Sequence, residues 1–347
     1  MNKIYLIASI LLLFIANGNS QNKVLYPFSW TYNGNPIVTH MYTADPSARI
    51  MPDGRIYVYA STDLWPGERC DKMDQYHVFS TGDLKTWTDH GQILCSDDVE
   101  WGREEGGFMW APDCIYKDGT YYFYFPHPSG SGDDWGQTWK MGVATSKHPD
   151  KGFEVQGYIP GTAPLIDPHV FIDDDGQAYF YIGGAQPGHP CHGGKLKENM
   201  MEIDGKMKQM EGLDHFHEAP WVFKRNGIYY MIYPDHHREG GVFGNRMHYA
   251  VSDHPLGPWN HKGVILDPTG IETSHASVVE FNGQWYLFYH NGALSGKQWL
   301  RSICFDKLYF EENGDIKKVQ QTGDFEKARF SYEMSPINPN VKPYNEE

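Results

Sequence analysis

Five times along this chain a polar residue precedes, by five to eight positions, a turn dipeptide that opens an aromatic strand. The leading residues are Asp45, Asp113, Asp167, Glu218 and His275. The turns are Asp53-Gly54, Asp118-Gly119, Asp175-Gly176, Asn226-Gly227 and Asn282-Gly283, and the strands read IYVYA, TYYFYF, QAYFYI, IYYMIY and QWYLFY. The leading residues recur roughly every 51 to 68 positions, a period that fits radial repetition of one small antiparallel sheet. The expected fold is therefore all-β, a five-bladed β-propeller. Such a fold gathers the start of each inner strand around one axis, so four carboxyl groups and an imidazole are expected to meet there.

A length of 347 residues suits one propeller domain. The N-terminal twenty residues read as a secretory signal, with Lys3 before the apolar run Ile4–Ile15 and a small, polar exit at residues 16–20. That run is too short to span a bilayer, and no cysteine stands near the exit for a lipid anchor. The expectation is a signal peptide over 1–20, a single catalytic domain over 21–347, and a secreted or periplasmic protein without a membrane anchor. A net charge of −15, with no Lys/Arg run, argues against a nucleic-acid partner. The five cysteines lack metal-type spacing; Cys70 and Cys95 fall in one repeat and are a candidate pair.

Residues 23–41 read as a connecting arm, where Pro27 and Pro36 oppose a helix. Outer strands follow the inner ones at 77–87, 141–153, 247–259 and 301–316. In the third repeat, residues 195–210 lack clean alternation, and Asp204-Gly205 reads as a hairpin turn. Long loops at 64–75, 96–109, 126–139 and 184–194 are rich in Gly, Trp and acidic residues, as functional loops are.

Carboxylates crowded at one channel mouth repel, and burial adds to the cost. Such a cluster makes sense where the groups bind a cation or move protons. The segments TADPSARI (43–50), WAPD (110–113), LIDPHVFIDDDGQAYFYIG (165–183), HEAPWVFKRNGIYYMIY (217–233) and SHASVVEFNGQWYLFYH (274–290) resemble glycoside hydrolase family 43, whose members are five-bladed propellers that invert configuration at the cleaved sugar. The resemblance runs from about Asp45 to Thr322, with the motifs in family order.

The resemblance implies that Asp45 is the general base, Glu218 the general acid and Asp167 the carboxylate that tunes and orients the acid. That division agrees with the chemistry of inversion, which needs one ionised and one protonated carboxyl, about 6.5–9.5 Å apart. It also implies that Trp110 walls the sugar site and that Arg301 points into it. His275 is expected to hold a structural Ca2+ in the central channel through waters, although a lone histidine is an unusual calcium ligand and is more often a hydrogen-bonded core residue. No cofactor is needed for the chemistry itself. Ala219 departs from the Gly common after the acid, and His217 and His169 are not common family residues. His169 and Asp113 are candidate substrate contacts.

Trp65, Trp101, Trp135, Trp139 and Phe243 lie in long loops and are candidate stacking platforms for further sugars. His189, His192, His236 and His237 lack zinc-type spacing and read as solvated or substrate-facing. The expected activity is an exo-acting inverting glycosidase releasing terminal α-L-arabinofuranosyl units from arabinose- or xylose-containing plant glycans. A β-xylosidase is the alternative within the enzyme class, and a catalytically idle carbohydrate-binding propeller the alternative outside it.

Overall fold

The computed structural model describes residues 25–184, 189–239 and 242–324. The signal-peptide reading of residues 1–20 lies outside them. Five antiparallel sheets surround one axis, as the repeat predicts. Blade 1 comprises Tyr42–Ile50, Ile56–Asp63, Gln75–Thr81 and Thr86–Cys95, with Phe28–Thr31 added outside. Blade 2 comprises Asp113–Lys117, Thr120–Pro128, Trp139–Ser146 and Glu154–Tyr158. Blade 3 comprises His169–Ile172, Ala178–Ile182, His192–Leu196 and Ile203–Gln209. Blade 4 comprises Trp221–Arg225, Ile228–Pro234, Met247–Ser252 and Asn260–Leu266. Blade 5 comprises Ala276–Phe281, Gln284–Asn291 and Ser302–Leu308, and its fourth position is reduced to a single bridge, Phe310 to Ile316.

The turn dipeptides divide into two classes. Asp118-Gly119, Asn226-Gly227 and Asn282-Gly283 have φ of 49° and 80°, 51° and 80°, and 51° and 77°. Two consecutive left-handed residues make the tight hairpin that Asp-Gly and Asn-Gly favour. In blades 1 and 3 only Gly54 and Gly176 are left-handed, and the connections are longer. Asp204-Gly205 is not a turn. It sits inside Ile203–Gln209 as a bulge, where pairing slips between Gly193 and Lys195, and the chain reverses instead at 197–202.

Residues 28–43 are more than a connecting arm. Phe28–Thr31 pairs with Thr86–Thr88 and Asp89, and the segment beyond it closes the ring. Ile37 and Thr43 N–H groups donate to the carbonyls of Ile303 and Arg301, both at 2.8 Å. Asn35 exchanges two hydrogen bonds with Phe305, at 2.9 and 3.0 Å. An extended chain segment next to an open strand edge satisfies backbone groups that would otherwise be orphaned.

Aromatic packing between sheets forms the core: Trp87 meets Phe288 and Phe305 between blades 1 and 5, and Tyr124 meets Phe180 between blades 2 and 3. Tyr59, Tyr124 and Tyr181 hold equivalent places in their strands, and each donates its hydroxyl to a carbonyl of the following blade (Pro149, Met200, Pro255) at 2.6–2.9 Å. Each ring thus buries apolar surface worth about 1.5–3 kcal/mol while its hydroxyl stays paired. The five cysteines are all free thiols, so Cys70 and Cys95 do not form the candidate pair.

Candidate active site

Strand register shows that the five leading residues are not equivalent. Ser47, Asp113 and His169 face Tyr59, Tyr124 and Tyr181 across the first hairpin of their blades. Trp221 and Ser277 take the same place in blades 4 and 5, opposite Ile232 and Phe288. These five form one ring. Asp45, Asp167 and His275 stand two residues earlier, in a ring nearer the mouth, where Ala219 holds the blade 4 position. Glu218 comes one residue before that. Asp45, Asp167 and Ala219 share a left-handed backbone, with φ of 55°, 54° and 51°, each just before a proline.

The mouth ring opens into a cavity of about 360 Å³, the size of a small-ligand site. Asp45, Asp167, Glu218 and His275 all line it, together with Trp110 and Arg301. Asp45 is buried. Its Oδ2 accepts from Ser61 Oγ at 2.8 Å, its Oδ1 lies 3.2 Å from Arg301 Nη1, and its backbone N–H donates to His290 Nδ1 at 2.8 Å. Burial pushes its carboxyl up, but Arg301, the histidines His290 and His275, and Ser61 outweigh that and hold it below the ordinary carboxylate value.

Glu218 has the opposite environment. Burial and the nearby Asp45 charge raise it to about 8, against smaller downward pulls from the Ser274 N–H and Arg301. Asp167 is likewise pushed far up, by burial and then by Glu218 and Asp45. Its Oδ2 accepts the Ala219 N–H at 3.0 Å, which fixes the backbone directly after Glu218. Gly184 makes room for Glu218, since a Cβ there would lie 2.7 Å from Glu218 Cβ. Two carboxyls whose environment favours the protonated form therefore face one whose environment favours the ionised form, across a shared cavity.

Arg301 is fully committed. Nε and Nη2 hold Asp63 at 3.0 and 2.8 Å, Nη1 reaches Asp45 and Thr273 Oγ1, and Nη2 also meets Met73 Sδ. It serves the ionised carboxylate and has no donor left over for a sugar hydroxyl. Asp63, Thr273, His290 and Trp299 were not singled out in the sequence. Asp63 ends the second strand of blade 1 and His290 falls near the end of that strand in blade 5, so residues that close these strands were the signal to follow. Trp299 lines the cavity, with the Arg301 guanidinium 5.8 Å from its ring centroid.

Asp113 and His169 do not contact the cavity, contrary to their expected role. They belong to the deeper ring. Arg49 enters it from blade 1 and binds Asp113 through Nε and Nη2 at 3.1 and 2.5 Å, lies 3.3 Å from His169 Nδ1, donates to the Val170 carbonyl, and stacks 4.2 Å from the centroid of Trp221. Against the upward push of burial, Arg49 and His169 hold Asp113 well below the carboxylate range. Asp113 also accepts from Ser47 Oγ and from the backbone N–H groups of Cys114 and Val170. His169 Nε2 lies 2.9 Å from the Val222 nitrogen and 3.1 Å from its carbonyl, and its Nδ1 lies 3.2 Å from Asp113. One guanidinium thus ties blades 1 to 4 together, one layer below the mouth ring.

His275 faces the cavity as a neutral imidazole, lowered to about 4 chiefly by burial. Calcium takes about six to eight oxygen ligands, and among the described residues no group of three or more His, Cys, Asp or Glu side chains is placed to hold a metal. The protein donors around His275 do not by themselves make a calcium shell, so an ion there would draw most of its ligands from water.

Trp110 forms a wall, with Trp139 at 4.8 Å and Phe108 at 5.5 Å between ring centroids, and its Nε1 bonds the Cys70 carbonyl at 2.9 Å. Trp139 is buried behind it. Trp101 stacks on Phe125 as a loop anchor. His236 lines the cavity and its ring meets His217 at 4.6 Å, whereas His189 bonds the Gly184 carbonyl. The side chains of Trp135 and Phe243 lie outside the described residues.

Fold and cavity define a propeller glycosidase built on paired carboxyl groups. The chain belongs to glycosyl hydrolases family 43, whose family model matches residues 33–316. It is a glycoside hydrolase acting on O-glycosyl bonds. A xylosidase/arabinosidase of Humicola insolens is 34% identical over 81% of this chain and 98% of its own. A xylosidase/arabinosidase of Bacteroides ovatus is 33% identical, over 80% and 95%. Among solved structures, a β-xylosidase/α-arabinofuranosidase from a compost microbial metagenome, in complex with xylotriose and in a calcium-free form, superposes with a TM-score of 0.73 at 34% identity, covering 84% of this chain and 98% of that one.

Proposed function

We propose that this protein is an exo-acting, inverting glycosidase that releases terminal α-L-arabinofuranosyl and β-D-xylosyl units from plant glycans outside the cytoplasm. The observation that carries the reading is that Asp45, held by Arg301 and Ser61, and Glu218, buried without a cationic partner of its own among the described residues, line one cavity and are shifted in opposite directions. Asp45 accepts a proton from water as its oxygen attacks the anomeric carbon. The glycosidic C–O bond breaks, and Glu218 gives its proton to the departing oxygen. The products are a sugar of inverted configuration and the shortened glycan, and solvent exchange restores both carboxyls. Asp167 holds the acid's backbone by accepting the Ala219 N–H.

The Arg49–Asp113 layer fills the channel with an ion pair one step below the mouth ring, which supports entry of sugar from one mouth and removal of terminal units. Relatives that bear both the xylosidase and arabinosidase names support a cavity that takes either pentose. The complete set of three carboxyls disfavours an idle binding module. Aryl α-L-arabinofuranoside and aryl β-D-xyloside offered to the wild type, Asp45→Ala and Glu218→Gln test the reading. Turnover by the wild type and its loss in both variants are expected; turnover of neither sugar, nor of arabinoxylan oligosaccharides, overturns it. The first product seen by anomeric NMR must have the opposite configuration to the substrate. Export is checked by N-terminal sequencing of the extracytoplasmic protein, expected to begin near Gln21.

A further inference from the structure

The loop 64–75 separates two cavities. Cys70 and Met73 face the catalytic one, whereas Leu64, Trp65 and Gln75 line a second cavity of about 360 Å³ against blade 1. Asp63 stands between them, lining the second while its carboxylate holds Arg301.

The lining of the second cavity selects by charge. Among the described residues no Lys or Arg lines it, and Lys297 beside it is engaged by the Trp65 ring and the Pro66 carbonyl, so it offers little to an anion. Its one carboxylate is already held by Arg301, so it offers little to a cation. Its two histidines are engaged as well, His77 with Asp89 at 3.3 Å and His90 with Asp150 at 3.1 Å. What remains is aromatic surface and neutral polar groups. Tyr26 and Trp65 supply rings. The side-chain amides of Gln75 and Gln92 make no hydrogen bond to protein among the described residues. Gly91, with φ of 92°, admits the Tyr26 ring, whose Cγ would lie 3.0 Å from any Cβ there. Lys297 Nζ sits 4.5 Å from the Trp65 ring centroid and helps fix the plane of the indole. Ring faces flanked by neutral amides are complementary to a polyhydroxylated, uncharged ligand, which shows apolar C–H faces and hydroxyl edges.

We infer that this cavity is a second, non-catalytic glycosyl-binding site that takes a neutral sugar residue of the polysaccharide whose terminal unit the catalytic cavity removes. The choice of polysaccharide rests on the proposed function. The site also touches the catalytic wall, because Trp110 Nε1 and Arg301 Nη2 bond the far side of the same loop at Cys70 and Met73. A sugar on the Trp65 side steadies the loop that both residues lean on.

The test compares wild type with the double variant Gln75→Ala/Gln92→Ala, each also on a Glu218→Gln background for binding. The probes are soluble arabinoxylan in affinity electrophoresis and an aryl pentoside in kinetics. The double variant is expected to bind arabinoxylan about five- to tenfold more weakly, the worth of two ordinary hydrogen bonds, and to raise KM for it likewise. Its kcat/KM on the aryl pentoside stays within about twofold of wild type, below the threshold of one lost bond. Unchanged arabinoxylan binding and KM in the folded double variant overturns the site, as does an equal loss on the aryl pentoside. Trp65→Ala, checked for folding by its melting transition, must show the same split between the two substrates. If the wild type binds arabinoxylan through these residues yet cleaves no pentoside, the site stands and the proposed activity fails. Cleavage intact with binding indifferent to both variants gives the converse.

Discussion

Arg301 sits between Asp45 and Asp63, 3.2 Å from an oxygen of the first and 2.8 Å from an oxygen of the second. The two carboxylates respond differently. Asp45 falls below its ordinary value, whereas burial lifts Asp63 above its own despite Arg301, with Asp45 adding a smaller upward push. The shared cation thus keeps the proposed base ionised, and Asp63 positions that cation.

Substitutions at the two partners of Asp45 are expected to move the acid limb of kcat/KM in opposite directions. Arg301→Met removes the largest downward influence on Asp45, so its carboxyl rises and the limb moves to higher pH, with a loss at neutral pH of about 10²-fold or more. Asp63→Asn removes a negative charge near Asp45 while leaving the guanidinium, so the limb moves to lower pH. A pH profile of both variants checks this; shifts of the same sign contradict it.

Activity should fall at alkaline pH with an apparent value near 8, where Glu218 loses its proton. Asp167 and Glu218 share their titration, so the limb belongs to the pair. Stability carries the same signature with its own sign. A carboxyl raised in the folded state binds its proton more tightly there than in the unfolded chain. Its contribution is present in full below the unfolded value of 4.5 and is lost as pH rises towards 8. Glu218→Gln should therefore abolish activity yet melt several degrees higher than wild type at pH 8, at about 2–4 °C per kcal/mol, and no higher at pH 4. Calorimetry at the two pH values decides it.

Ring closure should be sensitive to one side chain. Asn35→Ala leaves the Phe305 N–H and carbonyl without their partners in a buried place, at a cost of about 1–3 kcal/mol for each unsatisfied group. The melting temperature drops, while kcat of the folded fraction on an aryl pentoside is unchanged. A loss of kcat without a loss of stability contradicts this role.

The fold was legible because the repeat is written in local chemistry: an aromatic inner strand after an Asp-Gly or Asn-Gly turn repeats five times. Asp45, Asp167 and Glu218 were legible as carboxyls that would share a cavity, since each stands one or two residues before a proline where an inner strand begins. What the sequence hid was depth. Asp113 follows its proline, whereas Asp45 and Asp167 precede theirs, and that offset of two residues keeps the same strand face but drops one layer down the channel. Register alone reveals the layer. Asp63 and Arg301 lie far apart in the chain and meet only through the closed ring, so no local pattern announces them. The closing segment at 35–43 was obscured because its pairing partner is some 270 residues away.

Asp113, the one acid of the repeat with no place in the cavity, should prove structural. It and Arg49 are a buried ion pair with good geometry, and His169 and two backbone N–H groups complete the carboxylate's shell. Removing one partner strands the other charge, which costs about 3–5 kcal/mol, whereas replacing both by apolar groups of similar volume is often neutral. Arg49→Met and Asp113→Leu should each lower the melting temperature by roughly ten degrees, at about 2–4 °C per kcal/mol. The double variant should recover much of that loss. Because neither residue touches the cavity, kcat/KM per folded molecule should stay within about an order of magnitude of wild type, against the far larger losses expected of removing catalytic groups. A double-mutant cycle on melting and on aryl-pentoside kinetics separates the two: additive destabilisation, or a catalytic loss as deep as that of Asp45→Ala, would return Asp113 to the chemistry.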